Sequence, residues 1–337
     1  MQSLPVVIGL LLANALAIYL ACEVFVNGVE WVGRKFRFGE KATGTILAAA
    51  GTALPESIVT FVAVVFGATA AQKEIGVGAA LGGPLVLATL AYAVVGIGLL
   101  IVGKGRANLA ALKDPDGHLS RDQAWFLVIF LCKIGLGLVA FAFKPWLGVL
   151  FLAAYGAYFW KEMRGEQEEG GHELEPLKIA PGIANPSAAL AVVQTLAALA
   201  VIFLCSKLFV GQLDALGPRL GMRPQLVALL FSPIATELPE ILNAVIWVRQ
   251  GKTRLALCNI SGAMMIQATV PSAFGIIFTP WIFERTLIAA GAITAAGIAV
   301  LWVAFRSKRV TPAFLSAMAL LYGLFGALVI GLHLQAG

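Results

Sequence analysis

Ten stretches of this chain are apolar and long enough to cross a lipid bilayer, at about 4–27, 42–67, 75–103, 122–143, 145–161, 187–210, 224–248, 255–280, 285–305 and 311–334. This pattern limits the fold more than any other feature. A backbone in hydrocarbon must satisfy its own hydrogen bonds, and an apolar run of this length does so as an α-helix. With 60% hydrophobic and 12% charged residues, the chain has far more apolar surface than a soluble core of its size needs. The fold class expected is an all-α polytopic membrane protein. The first stretch opens Met1-Gln2-Ser3-Leu4-Pro5, without a basic flank, and exceeds a signal-peptide core in length, so it reads as a retained span.

A net charge of +6 would suggest a nucleic-acid partner in a soluble protein. Here the basic residues flank the spans and report topology instead. Of the 24 Lys and Arg, seventeen fall in alternate loops, beginning with Arg34, Lys35, Arg37 and Lys41; five fall in the other loops. Lys133 and Lys207 lie within spans. The positive-inside rule then places the protein in the inner (plasma) membrane as a multi-pass chain with both termini extracytoplasmic. Cys22, Cys132, Cys205 and Cys258 all sit in apolar segments without a CxxC pair and read as small buried hydrophobes.

The longest hydrophilic stretch, 162–186, carries Glu162, Glu166, Glu168, Glu169, Glu173 and Glu175. It lacks the ligand spacing and turn glycine of an EF-hand and reads as a solvated linker. The expected organisation is a first five-helix half at 1–161, a cytoplasmic acidic linker at 162–186, and a second half at 187–337. Five is odd, so the second half must enter the membrane inverted. The halves also match in sequence. At an offset of 184, Thr52, Leu54, Pro55 and Glu56 correspond to Thr236, Leu238, Pro239 and Glu240, and Phe25-Val26 corresponds to Phe209-Val210.

The repeated segments are Gly51-Thr52-Ala53-Leu54-Pro55-Glu56 and Ala235-Thr236-Glu237-Leu238-Pro239-Glu240. A carboxylate near the bilayer centre costs about 2.5–3.5 kcal/mol on insertion scales, so such acids mark function. The adjacent proline interrupts the helical ladder. Interrupted helices in matching positions of two halves are the sequence signature of a transporter's binding site. Glu237 and Glu240 stand three residues apart on one helix face, which concentrates negative charge that protons or cations must neutralise. Hard cations take carboxylate, hydroxyl and carbonyl oxygens, and Thr52 and Thr236 offer two of these. On the spans that follow, Asn259, Ser261 and Gln267 either complete a cation's shell or bond to a neighbouring helix. Asn243 is a weaker candidate. Glu23 and Lys207 share a repeat position with opposite charge, and either pair or face water separately. Lys133 reads as paired or near a water-filled cavity. Trp31, Trp146, Trp160, Trp247 and Trp281 lie near span ends and read as interfacial anchors. His118, His172 and His333 show neither HExxH nor a Ser-His arrangement, so an intramembrane hydrolase is not indicated.

The two motifs resemble the alpha repeats of the cation/Ca²⁺ antiporter superfamily, which includes the sodium/calcium exchangers. In that family each repeat carries a G-[ST]-S-x-P-E type motif and then a G-S-N-x-x-[ND] type stretch. The family's central glutamates correspond to Glu56 and Glu240, and its motif threonines to Thr52 and Thr236. Its motif serine is replaced by Ala53 in one repeat and Glu237 in the other. The later Ser and Asn/Asp positions become Gly83 and Leu87, and Ala263 and Gln267, as in a divergent prokaryotic branch. The resemblance implies ten transmembrane helices as two inverted five-helix repeats with broken helices at a central site. It implies a secondary active antiporter working by alternating access, not an enzyme, most simply exchanging Ca²⁺ for Na⁺ or H⁺. The alternatives are a monovalent (Na⁺ or K⁺)/H⁺ antiporter and a non-transporting membrane scaffold or sensor. The implied metal site is Glu56, Glu240, Glu237, Thr52, Thr236 and Gln267. No resident cofactor is implied, since the transported cations bind transiently. The expected partners are inorganic cations and the lipid bilayer, with no nucleic acid and no obligate protein partner.

Overall fold

The computed structural model describes residues 3–36, 54–102, 109–164 and 174–334. Thr52 and Ala53 of the first motif therefore lie outside the described residues. Every regular element within them is helical. In chain order these are α1 (Leu4–Lys35), α2 (Leu54–Phe66) and α3 (Ala70–Val86). One π-helical turn, Leu87–Ala91, joins α3 to α4 (Tyr92–Val102). After a 3₁₀ turn come α5 (His118–Leu138), α6 (Lys144–Arg164), α7 (Ala188–Leu220), α8 (Pro224–Thr236) and α9 (Leu238–Arg249). The chain closes with α10 (Thr253–Phe278), α11 (Arg285–Arg306), α12 (Pro312–Ala317) and α13 (Ala319–Leu334). These helices fall on the ten segments read from the sequence, with α3–α4, α8–α9 and α12–α13 each forming one span. Seven of the described helical stretches are long and apolar enough to cross a membrane on length and composition alone.

Local signals set the helix ends. Pro5 occupies the first turn of α1, where its missing N–H costs nothing, and Arg34 and Lys35 lie in the last turn, against the negative end of the dipole. Thr69 and Ser187 cap α3 and α7 by accepting the N–H of Gln72 and Leu190, both at 3.2 Å. Asp114 accepts the N–H groups of Leu119 and Ser120 at the start of α5. Nearby, the Arg254 guanidinium forks onto Asp116 and holds that carboxyl below its usual range. At the turn into α6, Lys144 Nζ donates to the carbonyls of Val139 and Trp281 at 2.6 and 2.9 Å.

The arrangement is set by which helices are shielded from lipid. In α10, 78% of the most apolar window is buried, and in the α3–α4 span 61%, against 28% for α1 and 22% for α7. The helices that follow the two motifs are therefore central, and α1 and α7 are peripheral. The two peripheral helices pack along each other, and so do α5 and α11, their counterparts one layer in. In each pair a helix lies against its repeat equivalent, as an inverted pseudo-twofold requires. Leu12, Leu16 and Leu20 point outward from α1, while Val7, Leu11, Ile18 and Cys22 face inward. The outward leucines are solvated by lipid rather than water.

Burial gives no hydrophobic driving force between helices in lipid, so close contact depends on small residues. Gly82 shows this where α3 crosses α8. A Cβ there would stand 2.6 Å from the Leu229 carbonyl oxygen and 2.8 Å from Pro233 Cγ.

Four sequence readings change, and one left open, the relation of Glu23 to Lys207, is resolved. Trp281 is not an interfacial anchor: it is fully buried, and its Nε1 donates to the Lys133 carbonyl at 3.1 Å. Trp31 is buried too, donating to the Glu175 carbonyl at 2.9 Å. The second part of the linker is consequently not a free solvated chain. Asn27 Oδ1 accepts the Lys178 N–H, Gln194 Oε1 accepts the Ile179 N–H, and Leu177 packs between α1 and α7 beside Trp31 and Ala191. Glu23 and Lys207 form no ion pair among the described residues; Glu23 accepts the Tyr19 hydroxyl at 2.6 Å and both side chains are exposed. Of the four cysteines only Cys22 is buried within the chain, and all four are free thiols.

The Gly82 contact is backbone against backbone, so it has little room to relax. Gly82→Val should lower stability by about 1–3 kcal/mol, seen as a reduced melting temperature of the detergent-solubilised protein. An unchanged melting temperature would contradict the close α3–α8 approach.

Candidate functional site

The second motif breaks its helix at one residue. Glu237 ends α8 and precedes α9; its N–H donates to the Pro233 carbonyl at 2.9 Å and its carbonyl accepts the Ile241 N–H at 3.1 Å. Pro239 offers no N–H to the Ala235 carbonyl four residues back, and Glu240 falls in the first turn of α9. In the first repeat Leu54, Pro55 and Glu56 are the first described residues of α2. Glu240 stands at the N-terminus of α9, where the dipole supplies partial positive charge.

Two further prolines free carbonyls on the central helices. Pro271 in α10 leaves the Gln267 carbonyl, which takes the Ser272 hydroxyl at 3.3 Å. Pro84 in α3 leaves the Ala80 carbonyl, which takes Lys133 Nζ at 2.9 Å.

The side chains converge on this set of breaks. Glu56, Thr236, Glu237, Glu240 and Gln267 are all fully buried or within 1% of it. Glu237 is the best satisfied acid: Thr236 Oγ1 donates to one oxygen at 2.8 Å and Gln267 Nε2 to the other at 2.6 Å. Glu56 Oε2 and Gln267 Oε1 both lie over Gly83, and the Gln267 amide binds Glu237, so the two carboxyls meet at one site. Glu240 stands three residues after Glu237, in the first turn of α9. No described residue donates to either oxygen of Glu56 or of Glu240, and Gln267 Oε1 is likewise unpartnered. Buried carboxylates without donors are costly by several kcal/mol each, so the arrangement suits a proton or a cation. The oxygen-only donor set is that of a hard cation. Among the described residues no three acids close on one point as a preformed metal shell. A cation held here would draw on amide, hydroxyl and carbonyl oxygens as well.

Gly83 is the floor of this site. A Cβ added there would lie 2.8 Å from Gln267 Oε1 and closer still to Glu56 Oε2. The chain therefore gives up a side chain on α3 to admit the Glu56 carboxyl.

A profile described as "Sodium/calcium exchanger protein" matches residues 6–161 and 190–331, nearly the whole chain. The chain belongs to the sodium/calcium exchanger family. It is 22% identical to the membrane protein MJ0091 of Methanocaldococcus jannaschii over 274 residues, covering 80% of this chain and 82% of that protein. The fold resembles the H⁺/Ca²⁺ exchanger CAX, with TM-score 0.71 at 16% identity over 96% of this chain and 82% of that one. It also resembles native YfkE (TM-score 0.64, 12% identity, 94% and 90% covered). A third match is the sodium-calcium exchanger NCX_Mj (TM-score 0.57, 18% identity, 95% and 97% covered). At these identities the likeness establishes the fold: a multi-pass membrane protein of ten helices as two inverted five-helix repeats.

Of the six residues singled out from the sequence, Glu56, Glu237, Glu240, Thr236 and Gln267 come together; Thr52 lies outside the described residues. Ser261 does not join them. It donates to Asp122 at 3.0 Å, in a separate buried cluster where Gln123 donates to Tyr92 at 2.7 Å. Asn243 is only half-buried. Sequence reasoning missed Thr60 and Ser232, whose buried hydroxyls have no partner. Each stands four residues from a motif residue, Glu56 and Thr236 respectively, and that spacing was the available signal.

The Gly83 cradle gives a direct test. Gly83→Ala should displace the Glu56 carboxyl and weaken cation binding by roughly tenfold, about 1.4 kcal/mol. The readout is the ion-induced rise in melting temperature. An undiminished rise would show that Glu56 does not depend on the missing side chain.

Proposed function

We propose that this exchanger-family protein is a secondary antiporter that exchanges Ca²⁺ for Na⁺ or H⁺ at the Glu56, Glu237 and Glu240 cluster. The observation that carries the reading is the pair of donor-free buried carboxylates, Glu56 and Glu240, one from the repeated motif of each half. Ions that compete for the same carboxylates must leave before others bind, and that competition couples their movements. Thr236, Gln267 and Thr52 complete the proposed ligand set. The halves 1–161 and 187–337, joined by the cytoplasmic linker 162–186, alternate around it. The protein sits in the inner membrane with both termini extracytoplasmic. The transported cations bind transiently, and no resident cofactor, nucleic acid or obligate protein partner enters the cycle.

A second reading, monovalent (Na⁺ or K⁺)/H⁺ exchange, is favoured by two observations. Glu56 and Glu237 meet at one site, which suits a shared proton, and the family's polar positions after the first motif are here Gly83 of α3 and the buried, apolar Leu87 of the π-helical turn.

Purified protein in proteoliposomes, with Ca²⁺, Na⁺, K⁺ and pH gradients imposed singly, separates the two readings. Ca²⁺ uptake driven by an opposed Na⁺ or pH gradient supports the first, and Na⁺ or K⁺ flux without Ca²⁺ supports the second. Glu56→Gln and Glu240→Gln keep size and remove charge, so each should reduce flux to that of empty vesicles while expression holds. Wild-type flux in either variant would count against the central site. Glu237→Ser should weaken the dependence of flux on an imposed pH gradient more than it weakens ion binding. An unchanged pH dependence would remove Glu237 as proton carrier and leave it a ligand or structural role.

A further inference from the structure

Lys133 is fully buried in the C-terminal third of α5, inside a membrane span, where an ammonium is as costly as a carboxylate. It has no counterpart in the second half, because α11 carries arginine only at its two ends. Its Nζ donates to the Ala80 carbonyl at 2.9 Å and lies 4.9 Å from the centre of the Phe130 ring. The carbonyl accounts for one of the three ammonium donors. Ala80 is one turn before Gly83, the residue over which the Glu56 carboxyl lies. The ammonium is thus held one helical turn along α3 from the place where the Glu56 carboxyl lies.

Capping the Ala80 carbonyl does not require a charge. At the other proline-freed carbonyl of the central helices, that of Gln267, the neutral Ser272 hydroxyl suffices. A buried charge where a neutral donor suffices calls for a role for the charge itself. The repeats supply one. By symmetry the site would hold two carboxylates, Glu56 and Glu240. Two residues break that symmetry: Glu237, opposite Ala53, adds a negative charge, and Lys133 adds a positive one.

Resting on the exchanger reading above, we propose that Lys133 is a tethered cation of the transport site. Its ammonium offsets the extra carboxylate Glu237, so three glutamates present a net charge of minus two. The site then loads one divalent cation, or two monovalent cations or protons, in each half-cycle. A membrane-buried site closes only when its charge is nearly cancelled, so the fixed ammonium sets how many mobile charges must enter.

The test is the charge count in Lys133→Gln, which retains a donor for the Ala80 carbonyl and loses only the charge. In proteoliposomes, the ions taken up and released per cycle, counted by isotope flux, together with the opposed gradients at which net flux stops, give the coupling ratio and the charge loaded in each half-cycle. The variant should take up one additional positive charge per half-cycle. In detergent, calorimetric titration with Ca²⁺ and with Na⁺ should show affinity raised by roughly tenfold or more. Lys133→Arg, which keeps the charge, should keep the wild-type count. Glu237→Gln should lower the count by one and so decides the matter if Lys133→Gln fails to give monodisperse protein. A wild-type ratio and affinity in Lys133→Gln, or an unchanged count in Glu237→Gln, would overturn the proposal and leave Lys133 a carbonyl cap. If wild type binds cations but exchanges none, the exchanger reading fails while the affinity comparison still judges Lys133. If wild type neither binds nor exchanges, both fall.

Discussion

Buried negative charge is the constraint on which the rest of this structure depends. Glu56, Glu237 and Glu240 are held away from water at the two repeated motifs, and no single interaction compensates them. The N-terminus of α9 supplies partial positive charge to Glu240. Thr236 and Gln267 donate to Glu237. Lys133 approaches from α5, and Gly83 gives way so that Glu56 fits. Each helix of the central group is shaped by one of these tasks. The prolines at positions 55, 84, 239 and 271 all lie in this group, where the backbone is lined by protein and can tolerate missing hydrogen bonds.

Much of this could be read from the residues alone. Period and length gave the ten helical segments, and the offset of 184 gave the inverted halves, because a bilayer leaves the backbone few options. The acids at the site were legible for the same reason: a carboxylate in a span has no bland explanation. Neutral side chains were harder. Ser261 and Gln267 stand on the same helix and look alike in sequence, yet one bonds to Asp122 and the other to Glu237. Which neighbour each meets depends on the rotation of α10 against α5 and α9, which no local pattern encodes. Lys133 was recognisable as buried, but its target was not, since the Ala80 carbonyl is freed by a proline on another helix.

The tryptophans failed for a related reason. Interfacial tryptophans sit near span ends, but so does Trp281, where the α10–α11 connection folds inward under a positive backbone φ of 51° and packs the ring against Phe283. Likewise, the composition of the linker described its acidic portion and not 174–186. There Asn27 and Gln194, one from each peripheral helix, meet and share the backbone groups of Lys178 and Ile179. A polar residue inside an apolar helix was the clue in both cases, and it pointed to a tie rather than to a ligand.

The unmatched charge of Lys133 bears on the balance of the whole molecule. Were the halves chemically identical, exchanging their shapes would convert an outward-open form into an inward-open one of the same energy. The two would then be equally populated. Here the Ala80 carbonyl is held by the Lys133 ammonium, and α11 carries no interior cation to match it. Under the proposed exchange cycle that unmatched charge lifts the degeneracy, and a membrane voltage or ion gradient then acts on an equilibrium that is already tilted.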